Sequence, residues 1–357
     1  MMTSQSPFPF IGLGAITFTL AAAGLWGCSF VFQMKNAEPV AIELGRPVDR
    51  EYRNLAFTSD GTHLVAFGGK LKVEEGIVDF WDVTKKEIVS SLTHPGSVMA
   101  AVFTPDGKRL ITGSRDTRKQ DQKFNKFRIY DGPKWELGHE FAVDPAGEPP
   151  WKLAVLPDGK QMLSSTFRIG VLRIWDLDQR KQRKLNAREE QIRDVAVFMD
   201  GERFAVIYGP LIEVWNAKKL EAVGTFQVKT NTLSIAFSPD KKWIATGELD
   251  SGMTLWDAST LKVSKELKGA SYYPKAIAFT NDSKLLVGAM SVDDELPEAK
   301  VCIWSTASGR LLQTFKVPKN AAKYLALSPD NRWLVTMSHA SQMYLWDFEK
   351  IRQRLGD

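Results

Sequence analysis

Residues 232–268, TLSIAFSPDKKWIATGELDSGMTLWDASTLKVSKELK, contain the pattern that decides the fold of this chain. Short runs of alternating apolar and polar residues are separated by a Ser-Pro-Asp turn that ends at Asp240 and by the pair Trp256-Asp257. Alternation over four to eight residues is typical of a half-buried β-strand, and Pro and Asp favour tight turns. The stretch therefore predicts one small sheet of four short antiparallel strands.

The same unit occurs seven times between residues 57 and 347, with 40 to 52 residues between successive turns. Each unit has an aspartate in its first turn: Asp60, Asp106, Asp158, Asp200, Asp240, Asp282 and Asp330. Each unit closes on an aromatic residue followed by a small polar or acidic one, and these aromatic residues are Trp81, Tyr130, Trp175, Trp215, Trp256, Trp304 and Trp346. A repeat of this period predicts an all-β fold, a seven-bladed β-propeller of four-stranded antiparallel blades.

The ends of the repeat array predict how the ring closes. The segment after Trp346, from Glu349 to Arg354, has the composition of a terminal helical turn, so the seventh blade lacks an outer strand. Val40 to Leu44 alternates correctly and precedes the first repeat. We expect this segment to supply the missing strand and to join the two ends of the propeller.

An apolar stretch of 25 residues, Phe8 to Phe32, precedes the repeats and defines an N-terminal segment (1–36) distinct from the propeller (37–357). It exceeds the roughly 20 residues that cross a bilayer as a helix. Three interpretations remain open: a single transmembrane anchor, a cleaved secretory signal, or a lipoprotein leader in which Cys28 is acylated. Each predicts that the chain associates with a membrane or is exported across one. Lys35 follows the stretch and no basic residue precedes it, which for an anchor favours a cytoplasmic propeller.

The composition restricts the class of protein. With 44% hydrophobic and 25% charged residues, the chain has the composition of a globular domain, and its formal net charge of +5 is mildly basic. Dense blocks of Lys and Arg, which mark nucleic-acid-binding tails, are absent from the sequence. Nucleic acid is therefore not the expected partner.

The seven repeats resemble those of the WD-repeat (Trp-Asp) β-propellers, over about 310 of the 357 residues. Ser-Pro-Asp turns, here ending at Asp240 and Asp330, are also common in bacterial propellers of other kinds, including lactonase-like ones, and we expect a bacterial member. In that family a His joins a Ser or Thr, an Asp and the Trp in a hydrogen-bond network. The resemblance implies such a network only in blade two, with His94, Thr112 and Asp116, where Tyr130 replaces the Trp. We expect several other blades to depend on packing alone.

The sequence favours a protein that is not an enzyme. Its four histidines lie in four different repeats, and no zinc-ligand, phosphate-loop or nucleophile-turn spacing occurs. We therefore predict no catalytic residue, no metal and no cofactor. A propeller can also assemble a metal site from distant blades, so the alternative is an extracytoplasmic lactonase-like hydrolase with a metal in its channel.

The residues that begin the seven innermost strands point to a binding site. They stand four positions before the apolar residue of each turn, where the resemblance to the WD-repeat family implies that they project toward the partner-binding top face. They are Arg53, Met99, Lys152, Asp194, Leu233, Lys275 and Lys323. The four basic ones, Arg53, Lys152, Lys275 and Lys323, predict a channel mouth that binds an acidic or phosphorylated protein segment.

The loop between the second and third strands of blade two is the strongest local charge cluster. Its predicted binding residues are Arg115, Arg118, Lys119, Lys123 and Phe124, which suit a protein partner, a nucleic-acid backbone or anionic lipid. The matching loop of blade six is acidic, with four acids between residues 293 and 298, which argues against nucleic acid. The sequence thus predicts a membrane-associated, non-enzymatic scaffold that binds proteins through its top face.

Overall fold

The computed structural model describes residues 39–356 except 46–48, 71–74, 116–124, 144–148, 167–169, 186, 189, 199, 251, 270–272, 292–298 and 321. The described strands belong to one compact unit, Glu38–Asp357, and form seven four-stranded antiparallel sheets. The predicted fold, a seven-bladed propeller of four-stranded blades, is confirmed.

Strands β2 to β17 form blades one to four in chain order, four strands to a blade. They are β2 (Arg50–Phe57), β3 (His63–Lys70), β4 (Glu75–Asp82) and β5 (Glu87–Pro95); β6 (Ser97–Phe103), β7 (Arg109–Arg115), β8 (Asn125–Asp131) and β9 (Glu136–Ala142); β10 (Lys152–Val155), β11 (Gln161–Ser165), β12 (Leu172–Asp176) and β13 (Lys181–Lys184); β14 (Asp194–Val197), β15 (Arg203–Ile207), β16 (Leu211–Asn216) and β17 (Glu221–Gln227).

Blades five to seven complete the ring, and blade seven takes its outer strand from the start of the described chain. They contain β18 (Thr232–Phe237), β19 (Trp243–Glu248), β20 (Gly252–Asp257) and β21 (Val263–Leu267); β22 (Tyr273–Phe279), β23 (Leu285–Ser291), β24 (Ala299–Ser305) and β25 (Leu311–Val317); β26 (Tyr324–Leu327), β27 (Trp333–Met337), β28 (Met343–Asp347) and β1 (Ala41–Gly45). A 3₁₀ turn, Pro318–Asn320, precedes β26, and helix α1 (Phe348–Leu355) follows β28.

The repeated aspartates form the turns that the sequence predicts for them. In blade five, Asp240 Oδ1 accepts hydrogen bonds from Ser238 Oγ at 2.6 Å and from the backbone N–H of Lys242 at 3.1 Å. Each of the other six turn aspartates likewise accepts the N–H two residues further on. Local side-chain to backbone hydrogen bonds of this kind stabilise the turn itself.

The predicted closure of the ring is confirmed. Strand β1 pairs antiparallel with β28, with Ala41 opposite Trp346 and Ile42 opposite Leu345. Leu44 is buried in the cluster shared with blade one. Since β1 and β28 are about 300 residues apart in sequence, this pairing joins the ends of the described chain.

Helix α1 is longer than the single turn that the sequence predicts. Asp347 caps its start by accepting the N–H of Lys350 at 3.0 Å, and Gly356 ends it with a φ of 75°. Its apolar side, Phe348 and Ile351, is buried against blades six and seven. An amphipathic pattern over eight residues therefore anchors the helix to the ring.

Neighbouring blades depend on each other through aromatic contacts. Phe315 of blade six packs on Trp346 of blade seven with ring centroids 4.7 Å apart, and Phe226 of blade four packs on Trp256 of blade five at the same distance. These rings lie in buried clusters that draw residues from two adjacent blades. The core of the propeller therefore lies between the blades, as expected for repeats that cannot bury their faces alone.

Candidate partner-binding face

Strict antiparallel order gives the propeller two different faces. The turn face carries the aspartate turns, the aromatic pairs that end each third strand, and helix α1. The loop face carries the starts of the innermost strands and the connections between second and third strands. Of the four basic residues predicted at the channel mouth, Lys152 begins β10 and Lys323 directly precedes β26. Lys275 is the third residue of β22 and Arg53 the fourth of β2, so all four lie in or beside the loop-face half of an innermost strand.

β-Bulges occur at the predicted positions in four blades. In blade one, Tyr52 pairs with Gly68 and Asn54 pairs with Phe67, so Arg53 has no partner across the ladder. The register shifts at the same position in three other blades, and the bypassed residues are Met99, Leu233 and Lys275. A bulge redirects the side chain of its extra residue. Arg53 and Lys275 thus leave the regular alternation of their strands.

The first pocket on the loop face has a volume of about 320 Å³ and brings together residues of blades one to four and Tyr324 of blade seven. Its lining includes Arg53, Met99, Lys152 and Asp194, four of the seven strand-start positions. Lys152 Nζ lies 3.2 Å from Asp194 Oδ2. This ion pair offsets one of the predicted binding charges, because a binding partner must compete with Asp194 for Lys152.

A second pocket, of about 290 Å³, lies between blades six and seven. It contains Lys275 and Lys323 together with Lys319, which does not stand at a strand-start position of the repeat. Lys319 adopts a positive φ of 49° in the 3₁₀ turn, and its Nζ lies 3.2 Å from Glu43 Oε1. The four predicted basic residues therefore separate into two pairs, in two pockets.

The lysines of the second pocket lie beside aromatic rings. Lys275 Nζ is 5.4 Å from the ring centroid of Tyr273, and Lys323 Nζ is 5.7 Å from that of Tyr324. Ser338, His339 and Gln342 also line the pocket and add polar groups. Ammonium, hydroxyl and amide donors in one concave site suit a carboxylate or phosphate oxygen.

Most of the predicted blade-two cluster lies outside the described residues. Arg115 ends β7 and is exposed. Arg118, Lys119, Lys123 and Phe124 fall within residues 116–124, for which no structure is described.

His94 links blade one to blade two. It lies on β5, and its Nε2 is 3.0 Å from Thr112 Oγ1 and 2.9 Å from Tyr130 Oη. Asp116, the third residue implied by the family resemblance, lies outside the described residues. The buried guanidinium of Arg128 lies nearby, where it donates to Ser114 Oγ at 2.7 Å and pairs with Glu140 at 2.6 Å.

Three other blades retain part of the family network without a histidine. The indole N–H groups of Trp175, Trp256 and Trp346 donate to hydroxyls of their second strands at 2.9 to 3.1 Å. In blade five the hydroxyl of Thr246 donates in turn to the buried carboxylate of Glu248 at 3.0 Å. These three blades therefore keep the Trp–hydroxyl bond of the network but not its His, and add this bond to packing.

We expect His94 to make the protein less stable in mild acid. Burial, reinforced by the positive charge of Arg128, lowers the pKa of His94 from 6.5 to about 3. Between these values the unfolded chain binds a proton at His94 that the folded chain does not. The stability that depends on a neutral His94 is therefore complete above pH 6.5 and declines as the pH falls toward 3. At pH 5 we expect a loss of about 2 kcal/mol.

Urea unfolding of the native protein and of His94→Gln, each at pH 7.5 and pH 5, measures this effect. Glutamine retains hydrogen-bonding groups and does not titrate, so the free energy of unfolding of the variant should change about 2 kcal/mol less between the two pH values. Equal pH dependence of the two proteins would show that His94 is not the group responsible.

The described residues offer no cluster of three or more His, Cys, Asp or Glu side chains that could hold a metal ion. His94 is buried, while His339 lines the second pocket. Cys302 is buried on β24 and accepts a hydrogen bond from Thr314 at 3.4 Å, with its pKa raised by burial.

Among the described residues, no helix combines the length and apolar character that a bilayer crossing requires. The apolar stretch Phe8 to Phe32, with Cys28, lies outside them. Membrane attachment and acylation therefore stay predictions.

The chain is similar to several curated WD-repeat proteins. It is 23% identical to serine-threonine kinase receptor-associated protein of Gallus gallus, over 66% of this chain and 63% of that one. It is 23% identical to WD repeat-containing protein WDS homolog of Arabidopsis thaliana, over 71% of this chain and 48% of that protein. It is 20% identical to WD repeat-containing protein 26 homolog of Arabidopsis thaliana, over 84% of this chain and 49% of that protein.

The chain covers less than two thirds of the length of each of these relatives, all of which are eukaryotic. Its expected bacterial origin therefore stays a prediction. A family model described as eukaryotic translation initiation factor eIF2A matches residues 32–133 and 159–321, which is more than half of the chain. With its seven four-stranded blades and its WD-repeat relatives, the chain belongs to the WD-repeat β-propellers and to this eIF2A family.

Proposed function

We propose that the protein is a non-enzymatic scaffold whose loop face binds an acidic segment of a partner protein. The observation that carries this proposal is the placement of Arg53 with Lys152, and of Lys275 with Lys323, in two concave pockets of one face. Its WD-repeat relatives also favour a protein-interaction scaffold.

The two pockets suit an extended partner better than a compact small molecule. The first pocket uses residues of blades one to four and Tyr324 of blade seven, and the second uses residues of blades six and seven, so together they span most of the ring. A peptide that crosses the channel mouth can place one acidic group in each pocket, while the rigid blades keep the distance between them constant. Charge complementarity of this kind sets orientation and the rate of association more than affinity.

Reversing the charge of these pockets should abolish most of the binding. For the triple variant Arg53→Glu, Lys275→Glu and Lys323→Glu, we expect at least about tenfold weaker binding of acidic peptides, because three attractive charges become repulsive. Fluorescence anisotropy with labelled Asp- and Glu-rich peptides at low salt measures the affinity. Lys152 is left unchanged because it pairs with Asp194.

The matched control reverses three exposed lysines of the turn face, Lys218, Lys219 and Lys241. It changes the net charge by the same amount and should leave peptide affinity unchanged. If both variants lose binding equally, the effect comes from the net charge of the protein, and the two pockets are not the binding site.

We further propose that the N-terminal stretch attaches the protein to a membrane, on the basis of the length and apolar character of Phe8 to Phe32. The intact mass of the protein purified from membranes separates the alternatives. A full-length mass is expected for an anchor, whereas a mass that begins at an acylated Cys28 identifies a lipoprotein. A shorter mass without lipid would contradict the attachment.

A further inference from the structure

A cavity outside the loop face lies on the turn face, where blade seven, blade one and helix α1 meet. Its volume is about 460 Å³. Its lining includes Pro39 and Val40, just before β1, Lys86 of the turn between β4 and β5, and Ile351 of α1. It is separate from both loop-face pockets.

This turn-face cavity combines an apolar interior with a basic rim. Its apolar lining includes Val83, Leu345 and Ile351, and the side chain of Val40 at its edge is 78% exposed. Its charged lining consists of four basic residues and one acidic residue, an excess of three positive charges: Lys86, Arg332, Lys350, Arg354 and Asp347. An exposed aliphatic side chain within a basic rim is the chemistry of proteins that lie on anionic membranes.

The basic residues of the rim differ in their side-chain contacts. The guanidinium of Arg332 lies 5.1 Å above the ring of Trp333, and Lys350 Nζ is 2.7 Å from Asp347 Oδ2. Lys350 remains 70% exposed despite this pair, so its charge still acts on the surroundings. Lys86 is exposed at the tip of the turn between β4 and β5.

Covalent connectivity indicates what covers this cavity. The apolar stretch ends at Phe32, six residues (33–38) separate it from Pro39, and Pro39 itself lines the cavity. Six residues reach about 20 Å at full extension. If the stretch inserts into a bilayer, this short connection keeps the cavity within about 20 Å of the point where the stretch leaves the membrane. A soluble acidic peptide has similar chemistry but no such covalent link.

We propose that this turn-face cavity and its basic rim bind the surface of an anionic phospholipid bilayer. Val40 enters the boundary between headgroups and acyl chains, while Lys86, Arg332 and Lys350 contact lipid phosphates. The contact directs the turn face toward the membrane and leaves the loop face accessible to partner proteins. This inference rests on the proposed membrane attachment, to which it adds a second, electrostatic contact.

Hydrogen exchange of the full chain on lipid nanodiscs tests the proposal. Discs of phosphatidylcholine alone are compared with discs that also contain phosphatidylserine. We expect backbone amides of residues 348–356 to exchange several-fold more slowly on the anionic discs only, and high salt to remove the difference. The triple variant Lys86→Glu, Arg332→Glu and Lys350→Glu should show no such difference, with its circular dichroism unchanged.

The control variant reverses Lys218, Lys219 and Lys241, which lie on the turn face at blades four and five, away from the cavity. It should keep the slower exchange on anionic discs. Equal exchange on both kinds of disc, or the same loss in the control, would overturn the proposal. So would slower exchange with a soluble poly-glutamate peptide but not with anionic discs, since this would identify an acidic protein as the occupant.

Failure of the anchor gives a different result from failure of the cavity. A chain that does not remain on phosphatidylcholine discs lacks a working anchor. Its sedimentation with phosphatidylserine vesicles then tests the cavity by itself, and binding that requires Lys86, Arg332 and Lys350 supports the proposal. A chain that binds neither lipid contradicts both the attachment and this inference.

Discussion

Replacing Trp346 with alanine is expected to lower the free energy of unfolding by about 4 kcal/mol, the range found for large aromatic residues removed from a core. Trp346 is almost fully buried, its indole N–H donates to Thr336 Oγ1 at 3.1 Å, and its ring packs on Phe315 of blade six. It also stands opposite Ala41 of the closing strand. Removing the indole of Trp346 therefore weakens blade seven, the contact between blades six and seven, and the closure of the ring.

Chemical denaturation followed by circular dichroism measures this loss without depending on tryptophan fluorescence. Trp346→Phe keeps an aromatic ring but removes the indole N–H, so a smaller loss is expected. A double-mutant cycle with Phe315→Ala should give a coupling of about 1 kcal/mol between the two rings. A loss below about 1 kcal/mol for Trp346→Ala would show that this contact does not hold the two blades together.

Replacing Asp79 with alanine is expected to destabilise the protein by about 3 kcal/mol, because it removes the buried carboxylate that faces the guanidinium of Arg50. Arg50 then keeps only the exposed Asp49, whose Oδ1 lies 3.5 Å from Arg50 Nε, as an acidic partner. Asp79 is fully buried in blade one and forms an ion pair with Arg50. Its carboxylate also accepts hydrogen bonds from Tyr52 Oη at 2.6 Å and Ser91 Oγ at 2.5 Å. Burial, together with the charge of Asp79, raises the pKa of Tyr52, which keeps the phenol as a donor.

Thermal and urea unfolding of three variants separate the charge from the hydrogen bonds. Asp79→Asn keeps the shape and should lose less than Asp79→Ala. Ser91→Ala removes one hydrogen bond and should cost about 1 kcal/mol. The double variant Arg50→Met and Asp79→Leu should recover most of the stability, because an apolar pair needs no counter-charge. If the double variant is no more stable than Asp79→Ala, the loss does not come from the charge of Arg50 left without its buried partner.

Much of the fold could be predicted because its signals are local. A turn such as Ser238 to Lys242 forms from hydrogen bonds within five residues, and strand alternation has a period of two. The closing strand β1 could be predicted because it completes a repeated count of four strands per blade. Asp79 gave no such signal, since its partners Arg50 and Ser91 lie 29 residues before it and 12 after it.

The candidate site could be predicted only in part. The family offset predicts that Arg53, Lys152, Lys275 and Lys323 project toward one face, and their role in partner binding stays a prediction. The offset could not predict that the four basic residues divide between two pockets or that Lys319 joins the second pocket. Nor could it predict that Asp194 forms an ion pair with Lys152. The cavity beside Val40 was also missed, because each of its sides comes from a different part of the chain.

The sequence by itself determined the number of blades, their turns and the segment that closes the ring, because these features repeat and their physical causes act over a few residues. Only the tertiary structure decided which charged groups share a pocket and which are paired. Those relations depend on strand register, on bulges such as that at Arg53, and on contacts such as the bond from Tyr52 N to Ser341 Oγ, which spans 289 residues. Side-chain directions that depend on such distant neighbours produce no repeating pattern in the sequence, so they could not be predicted from it.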